Sequence, residues 1–213
     1  MLDHQRRFLD LALAAQVLRF GAFTLKSGRE SPYFFNAGRF DSGASLATLA
    51  DCYADALAAH GLRFDMLFGP AYKGIPLATA LALTLARRGT DVPVAFNRKE
   101  AKDHGEGGTI VGAPLAGRAL IIDDVITDGA AKREAIDMIR ATGATPAGIL
   151  IALDRQERGQ GELSATQEVS REYGLPVTAI ATLADILALL RARPGERANV
   201  DRIEEYRRQY GVH

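Results

Sequence analysis

Ala119-Leu120-Ile121-Ile122-Asp123-Asp124-Val125-Ile126-Thr127-Asp128-Gly129-Ala130-Ala131 decides the fold of this 213-residue chain. Four apolar residues in a row, with no polar alternation, are what a strand buried on both faces requires. Two acids end that strand, small residues and a glycine turn the chain, and a helical period follows. Backbone N–H groups in such a turn can point inward, and the helix N-terminus adds partial positive charge, so a phosphate fits there. The carboxylates of Asp123 and Asp124 repel phosphate but accept hydrogen bonds from adjacent sugar hydroxyls. A phosphate cradle beside a diol acceptor suits ribose 5-phosphate. Taken singly, the two acids only begin a turn and Asp128 only caps a helix.

On either side of this junction strands and helices alternate. Phe8, Leu11, Ala12, Ala15 and Leu18 recur at helical spacing, with Gly21 as the stop. Short strands are expected at 22–26 and 33–37, then a helix at 45–60 ended by Gly61. A strand at 65–68, a helix at 75–88 closed by Gly89 and a strand at 92–96 follow. Residues 97–108 show no period and read as a glycine-rich loop. The helix after the central junction sets Ala131, Ala135, Met138 and Ile139 on one face and ends at Gly143 and Pro146. Buried strands at 149–153 and 177–181 flank a helix at 164–173, and the charged segment 200–210 reads as an exposed helix. The pattern predicts an α/β fold, one domain over 1–213, with a mostly parallel central sheet flanked by helices. Ligands of such sheets lie beyond the carboxyl ends of the strands.

Composition narrows the partners. With 26 basic and 26 acidic residues the formal charge is zero, so nothing draws the whole molecule to nucleic acid or to an anionic membrane. Any anion site must be local. The single cysteine, Cys52, excludes an internal disulfide and a multi-cysteine metal site. The first seven residues hold no apolar run of a secretory signal, and the apolar stretch 75–86 falls short of the ~20 residues of a membrane span, so the cytoplasm is the expected location. Neither a G-x-G-x-x-G after a strand nor a G-x-x-x-x-G-K-[ST] occurs.

The second informative stretch is Asn97-Arg98-Lys99-Glu100-Ala101-Lys102-Asp103-His104-Gly105-Glu106-Gly107-Gly108. Cations on a glycine-rich loop can close over an anion and exclude water. Composition alone fits equally a solvated loop whose acids neutralise its bases. Gly69-Pro70-Ala71-Tyr72-Lys73-Gly74, between a strand and a helix, offers a further turn with one cation. Arg155, after a buried strand, can grip a carboxylate bidentately, although an arginine there also serves as a surface ion pair.

The central junction resembles the diphosphoribose-binding signature of type I phosphoribosyltransferases. The order Arg-Lys-Glu-x-Lys-x-His-Gly-Glu-Gly resembles the catalytic loop of the orotate phosphoribosyltransferases within that family. The resemblance implies Mg²⁺-dependent transfer of a phosphoribosyl group from phosphoribosyl diphosphate to orotate, with Mg²⁺ held mainly by substrate and water and no metal ligand assigned. It implies donor contacts from Lys26, Tyr72, Lys73, Arg98, Lys99, Lys102, His104 and the whole cradle: Asp123, Asp124, Val125, Ile126, Thr127, Asp128, Gly129, Ala130 and Ala131. Lys102, Asp123 and Asp124 would be catalytic. Phe34, Phe35, Thr127 and Arg155 would bind orotate, with residues 1–40 supplying a helix and a small hood of strands. Phe34 and Phe35 alternate across a strand, so one of them is as much a core residue as a ligand. The resemblance also implies a homodimer whose loop 97–108 reaches the neighbouring site.

Two positions depart from the family pattern. Asp128 stands where a small residue is usual, and Ala130 where a threonine is. An inward Asp128 would repel phosphate, so it is expected to face solvent and cap the helix. Alternatives are a uracil or purine phosphoribosyltransferase, which should lack the basic loop, and a non-catalytic sensor of phosphoribosyl diphosphate with the same fold.

Overall fold

The computed structural model describes residues 1–25, 28–102, 108–127, 129–159 and 161–212, and of residues 101, 102 and 108 the backbone alone. Strands β1 (Leu18–Thr24) and β2 (Glu30–Phe35) pair antiparallel as a small separate sheet. Six others form the central sheet in the order β5 (Gly108–Gly112), β4 (Val94–Lys102), β3 (Met66–Gly69), β6 (Arg118–Asp123), β7 (Thr145–Asp154) and β8 (Val177–Thr182). Every neighbouring pair is parallel except β4 with β5.

The unbroken apolar runs bury both faces of this sheet, because successive side chains point to opposite sides. Leu67, Leu120, Ile122, Leu150 and Ala152 face α1 (Asp3–Ala14), α2 (Gly43–His60), α3 (Gly74–Arg87), α6 (Leu183–Arg191) and α7 (Arg197–Tyr210). Met66, Phe68, Ala119, Ile121, Ile149 and Ile151 pack on the other side against α4 (Ala130–Ala141) and α5 (Ala165–Tyr173). Each fully buried leucine or isoleucine contributes roughly 1.5–3 kcal/mol, so β6, buried from Ala119 onward, is the rigid base on which the junction stands.

Several local expectations are corrected. Helix α1 stops at Ala14, Gln16 turns the chain with φ 54°, and Leu18 already lies in β1, so Gly21 sits inside a strand. The supposed loop from Asn97 is strand as far as Lys102, paired back on β5 with Asn97 opposite Ile110 and Lys102 opposite Gly108. Pro146 lies within β7 and does not merely follow a helix. It sits where the β6–β7 register shifts, a position that tolerates its missing N–H. The buried face of α4 is Lys132, Ala135, Ile136 and Ile139, with Ala131 exposed. Helix α7 is amphipathic, not simply exposed: Val200, Ile203 and Tyr206 enter the core. Among the described residues no helix is long and apolar enough to cross a membrane.

Cys52 illustrates the tightness of the α1–α2 contact. It is fully buried, and burial pushes its thiol up to about 11, against the opposing pull of Arg7. About one thiol in a thousand is then ionised at pH 8. Iodoacetamide at pH 8 is expected to leave the native protein unlabelled and to label it fully in denaturant. Rapid labelling of the native state would refute this packing.

Candidate active site

The carboxyl ends of β3, β6 and β7 all open at one end of the sheet, because these strands are parallel. The loops leaving them build the site. After β3, Gly69 and Gly74 approach so closely that a Cβ on Gly69 would lie 2.4 Å from the Gly74 carbonyl oxygen. A Cβ on Gly74 would lie 2.7 Å from the Ile122 carbonyl oxygen. The loop between these glycines holds a cis peptide at Ala71–Tyr72 and presents Tyr72 and Lys73 outward. The Ala71 N–H donates to Asn97 Oδ1 at 2.8 Å, tying this loop to the base of the β4–β5 hairpin. Lys99 on that hairpin places Nζ 5.2 Å from the centre of the Tyr72 ring, a cation–π contact.

After β6, both acids are buried and each meets a lysine. Lys73 Nζ donates to Asp124 Oδ2 at 2.6 Å, and Lys132 Nζ donates to Asp123 Oδ2. The Lys132 pair is inside the protein, whereas the Lys73 side chain is 52% exposed. Burial raises the Asp123 pKa, against the opposing pull of Lys132. The Asp123 and Asp124 backbones are fixed as well: Tyr53 Oη donates to the Asp123 carbonyl at 2.7 Å, and the N–H groups of Ala152 and Leu153 donate to the Asp124 carbonyl at 2.9 and 3.1 Å.

The turn then runs to Gly129, which has φ 77° and precedes α4 without a side-chain cap among the described residues. Glycine is favoured there by that backbone, and a Cβ would also lie 2.9 Å from Cγ2 of the buried Val169. A hollow of about 390 Å³ lies over the turn. Tyr72, Lys73, Lys99, Asp123, Asp124, Val125, Ile126, Thr127, Gly129, Ala131 and Lys132 line it. Thr127 and Ala130 are exposed, whereas the Ile126 side chain is buried in the core beneath α4 and α5, leaving its backbone to face the turn.

The sequence of this site has many counterparts. Residues 41–170 match the family model described as Phosphoribosyl transferase domain. An orotate phosphoribosyltransferase of Laribacter hongkongensis (strain HLHK9) is 62% identical over 212 residues, covering all of both chains. One from Xanthomonas axonopodis pv. citri (strain 306) is 64% identical, covering all of this chain and 98% of its own. The crystal structure of the Francisella tularensis orotate phosphoribosyltransferase superposes with a TM-score of 0.88 at 43% identity, over 96% of this chain and 99% of that one. This chain belongs to the orotate phosphoribosyltransferases. Its mostly parallel sheet is the type I phosphoribosyltransferase fold.

In this phosphoribosyltransferase the structure gathers Tyr72, Lys73, Lys99, Asp123, Asp124, Val125, Ile126, Thr127, Gly129 and Ala131 around one hollow. Arg98 lies beside Lys99 on β4. Lys26, His104, Asp128 and the Lys102 side chain lie outside the described residues. Phe34 and Phe35 do not line the hollow. Phe35 is a correction: it is buried in the core against Phe8, at 6.1 Å between ring centres, because alternation along β2 turns it inward. Phe34 stacks on Phe23 at 5.5 Å, beneath Arg19.

Arg155 follows β7 and is mostly buried, with its guanidinium 4.4 Å from the centre of the Tyr33 ring. Burial opposes its charge, yet Tyr33 and Glu157 hold its pKa above the ordinary arginine value. Sequence reasoning missed Lys132, which stands at i, i+3, i+4 and i+7 with the apolar face of α4. Its helical phase was the available signal: a lysine in register with Ala135, Ile136 and Ile139 needs a buried anion, and Asp123 is the acid at the strand end.

Proposed function

We propose that the chain transfers the phosphoribosyl group of phosphoribosyl diphosphate to N1 of orotate, giving orotidine 5′-monophosphate and diphosphate in pyrimidine biosynthesis. The observation that carries this reading is the junction after β6, where two buried acids precede a glycine turn and a helix N-terminus. The turn receives the 5-phosphate on backbone N–H groups, and Asp124 and Asp123 accept from the ribose hydroxyls. Lys73, Lys99, Arg98 and the loop cations Lys102 and His104 neutralise the diphosphate as it departs, and Lys26 contacts the donor. With charge spread this way the enzyme needs no strong nucleophile, only two anionic substrates held in line. Thr127 and Phe34 border orotate, and Arg155 pairs with its carboxylate.

Mg²⁺ suits this donor set, since two carboxylates beside a diphosphate are hard oxygen ligands. No cluster of three or more His, Cys, Asp or Glu side chains poised for a metal occurs among the described residues, so substrate oxygens and water would supply most of its ligands. The ion would shield charge on the diphosphate. A homodimer, with loop 97–108 lent to the neighbouring site, and a cytoplasmic location complete the reading.

The direct test mixes protein, orotate, phosphoribosyl diphosphate and Mg²⁺ and follows loss of orotate absorbance. Uracil, lacking the carboxylate, should be a very poor substrate. Arg155→Ala is expected to raise the orotate KM at least tenfold, the worth of about 1.4 kcal/mol, with little change in the KM of the donor. Equal turnover of uracil and orotate would sink the reading.

A further inference from the structure

A guanidinium has five donors in a rigid fork, so its usefulness to a substrate depends on which donors the protein already holds. Around Arg155 that allocation is explicit. Nε and Nη2 both donate to Glu157 Oε1, at 2.9 and 2.7 Å, and Nη2 also reaches Ser31 Oγ at 3.3 Å. Nη1 makes no hydrogen bond of normal geometry among the described residues, and the Tyr206 hydroxyl is the polar group that lies near this pair. The Tyr33 hydroxyl donates to the same Glu157 oxygen at 2.8 Å, while the centre of the Tyr33 ring lies 4.4 Å from the guanidinium carbon. One carboxylate oxygen thus gathers three donors and holds one edge of Arg155.

The backbone sets Glu157 there. Gln156 adopts φ 51°, a left-handed conformation uncommon outside glycine, which folds the chain back so that residues two apart converge. Gln156 is braced by its N–H to Asp154 Oδ1 at 2.9 Å and by its side-chain oxygen to the Ala184 N–H at 3.1 Å. Glu157 forms an isolated bridge with Gly211, flanked by the Arg158 N–H to the Tyr210 carbonyl at 2.7 Å and the Val212 N–H to the Gln156 carbonyl at 2.9 Å.

We propose that Glu157 is a positioning residue for substrate recognition: it fixes one edge of Arg155 so that the Nη1 end is offered to the carboxylate of the base. The proposal rests on the orotate reading above. It makes reach, not charge, the property that matters. The Glu157 carboxylate in fact competes electrostatically with a substrate carboxylate, and is kept because an unanchored arginine would lose its alignment.

Two variants separate the possibilities. Glu157→Asp keeps the charge but shortens the reach by one methylene. It should raise the orotate KM about tenfold with kcat and the donor KM nearly unchanged. Glu157→Gln keeps the reach and an acceptor oxygen, and should stay within about threefold of the parent orotate KM. Melting temperatures of both variants close to the parent exclude a folding defect. Parent-like orotate KM in Glu157→Asp, or an equal rise in both variants, would overturn the proposal. A fall in the orotate KM of Glu157→Gln by tenfold or more, about 1.4 kcal/mol, would also overturn it, as a purely electrostatic brake. Failure of the parent protein to consume orotate at all would instead defeat the reading on which it rests.

Discussion

Replacing Lys132 with methionine is expected to destabilise the fold by about 3–5 kcal/mol, because it strands a buried carboxylate whose partner has gone. Asp123 and Lys132 are both buried and pair directly, so little water screens the loss. Burial already sets the Asp123 pKa above its ordinary 3.8, and removal of the lysine raises it further. A carboxyl raised in the folded state supplies stability that is complete below its unfolded pKa and is lost as pH rises through the folded one. The deficit of Lys132→Met should therefore be full at pH 8 and shrink on acidification. Adding Asp123→Asn should recover much of it. Urea unfolding across pH checks both points, and a loss below about 1 kcal/mol at pH 8 would show that the pair is not the uncompensated charge supposed here.

Gly74→Ala should lower kcat/KM about a hundredfold, as expected when a reacting group is misplaced by about 1 Å. The new methyl would meet the Ile122 carbonyl and the Pro70 ring within 2.7 Å, and neither backbone nor ring can swing aside. Relief must come from the loop that carries Tyr72 and Lys73. Stability should fall too, by roughly 1–3 kcal/mol. Gly43→Ala serves as control, since nothing lies within 4 Å of its Cβ position. Comparable activity loss in both variants would place the effect elsewhere than in this contact.

The central strand and its junction were legible because burial on both faces leaves a mark that local reading can see, as in Leu120-Ile121-Ile122. The end of β4 was not. Asn97 to Lys102 has no alternation of its own and becomes strand by pairing with β5, a partner that local sequence does not announce. Helix α6 is illegible locally because residues 183–191 are apolar on nearly every side, so its signal is burial, not period. Lys132 broke the apolar stripe of α4 and so hid the true phase of that helix. Phe35 was half legible, since alternation requires one of two adjacent aromatics to turn inward but does not say which. Around Arg155, the arginine and Glu157 two residues on are visible in the sequence, whereas Ser31 and Tyr33, which complete the contacts of its guanidinium, lie more than a hundred residues away in the chain.

The contact between Lys73 and Asp124 has a consequence for which molecules the site can tell apart. On the proposed roles of these residues, each is the other's partner until the donor arrives, so binding would be an exchange and its strength a difference between old and new contacts. Diphosphate alone would draw the lysine away and leave the buried Asp124 carboxylate with the Val125 N–H on Oδ1 and no partner for Oδ2. Ribose 5-phosphate alone would satisfy the carboxylate and supply no anion for the lysine. Only the intact donor answers both at once, and the penalty for abandonment, about 1–3 kcal/mol, falls on the buried carboxylate, since the half-exposed lysine returns to water. The expected result is a site that responds to the coincidence of two chemical groups on one molecule, a discrimination that the dissociation constants of diphosphate, ribose 5-phosphate and their conjugate would read directly.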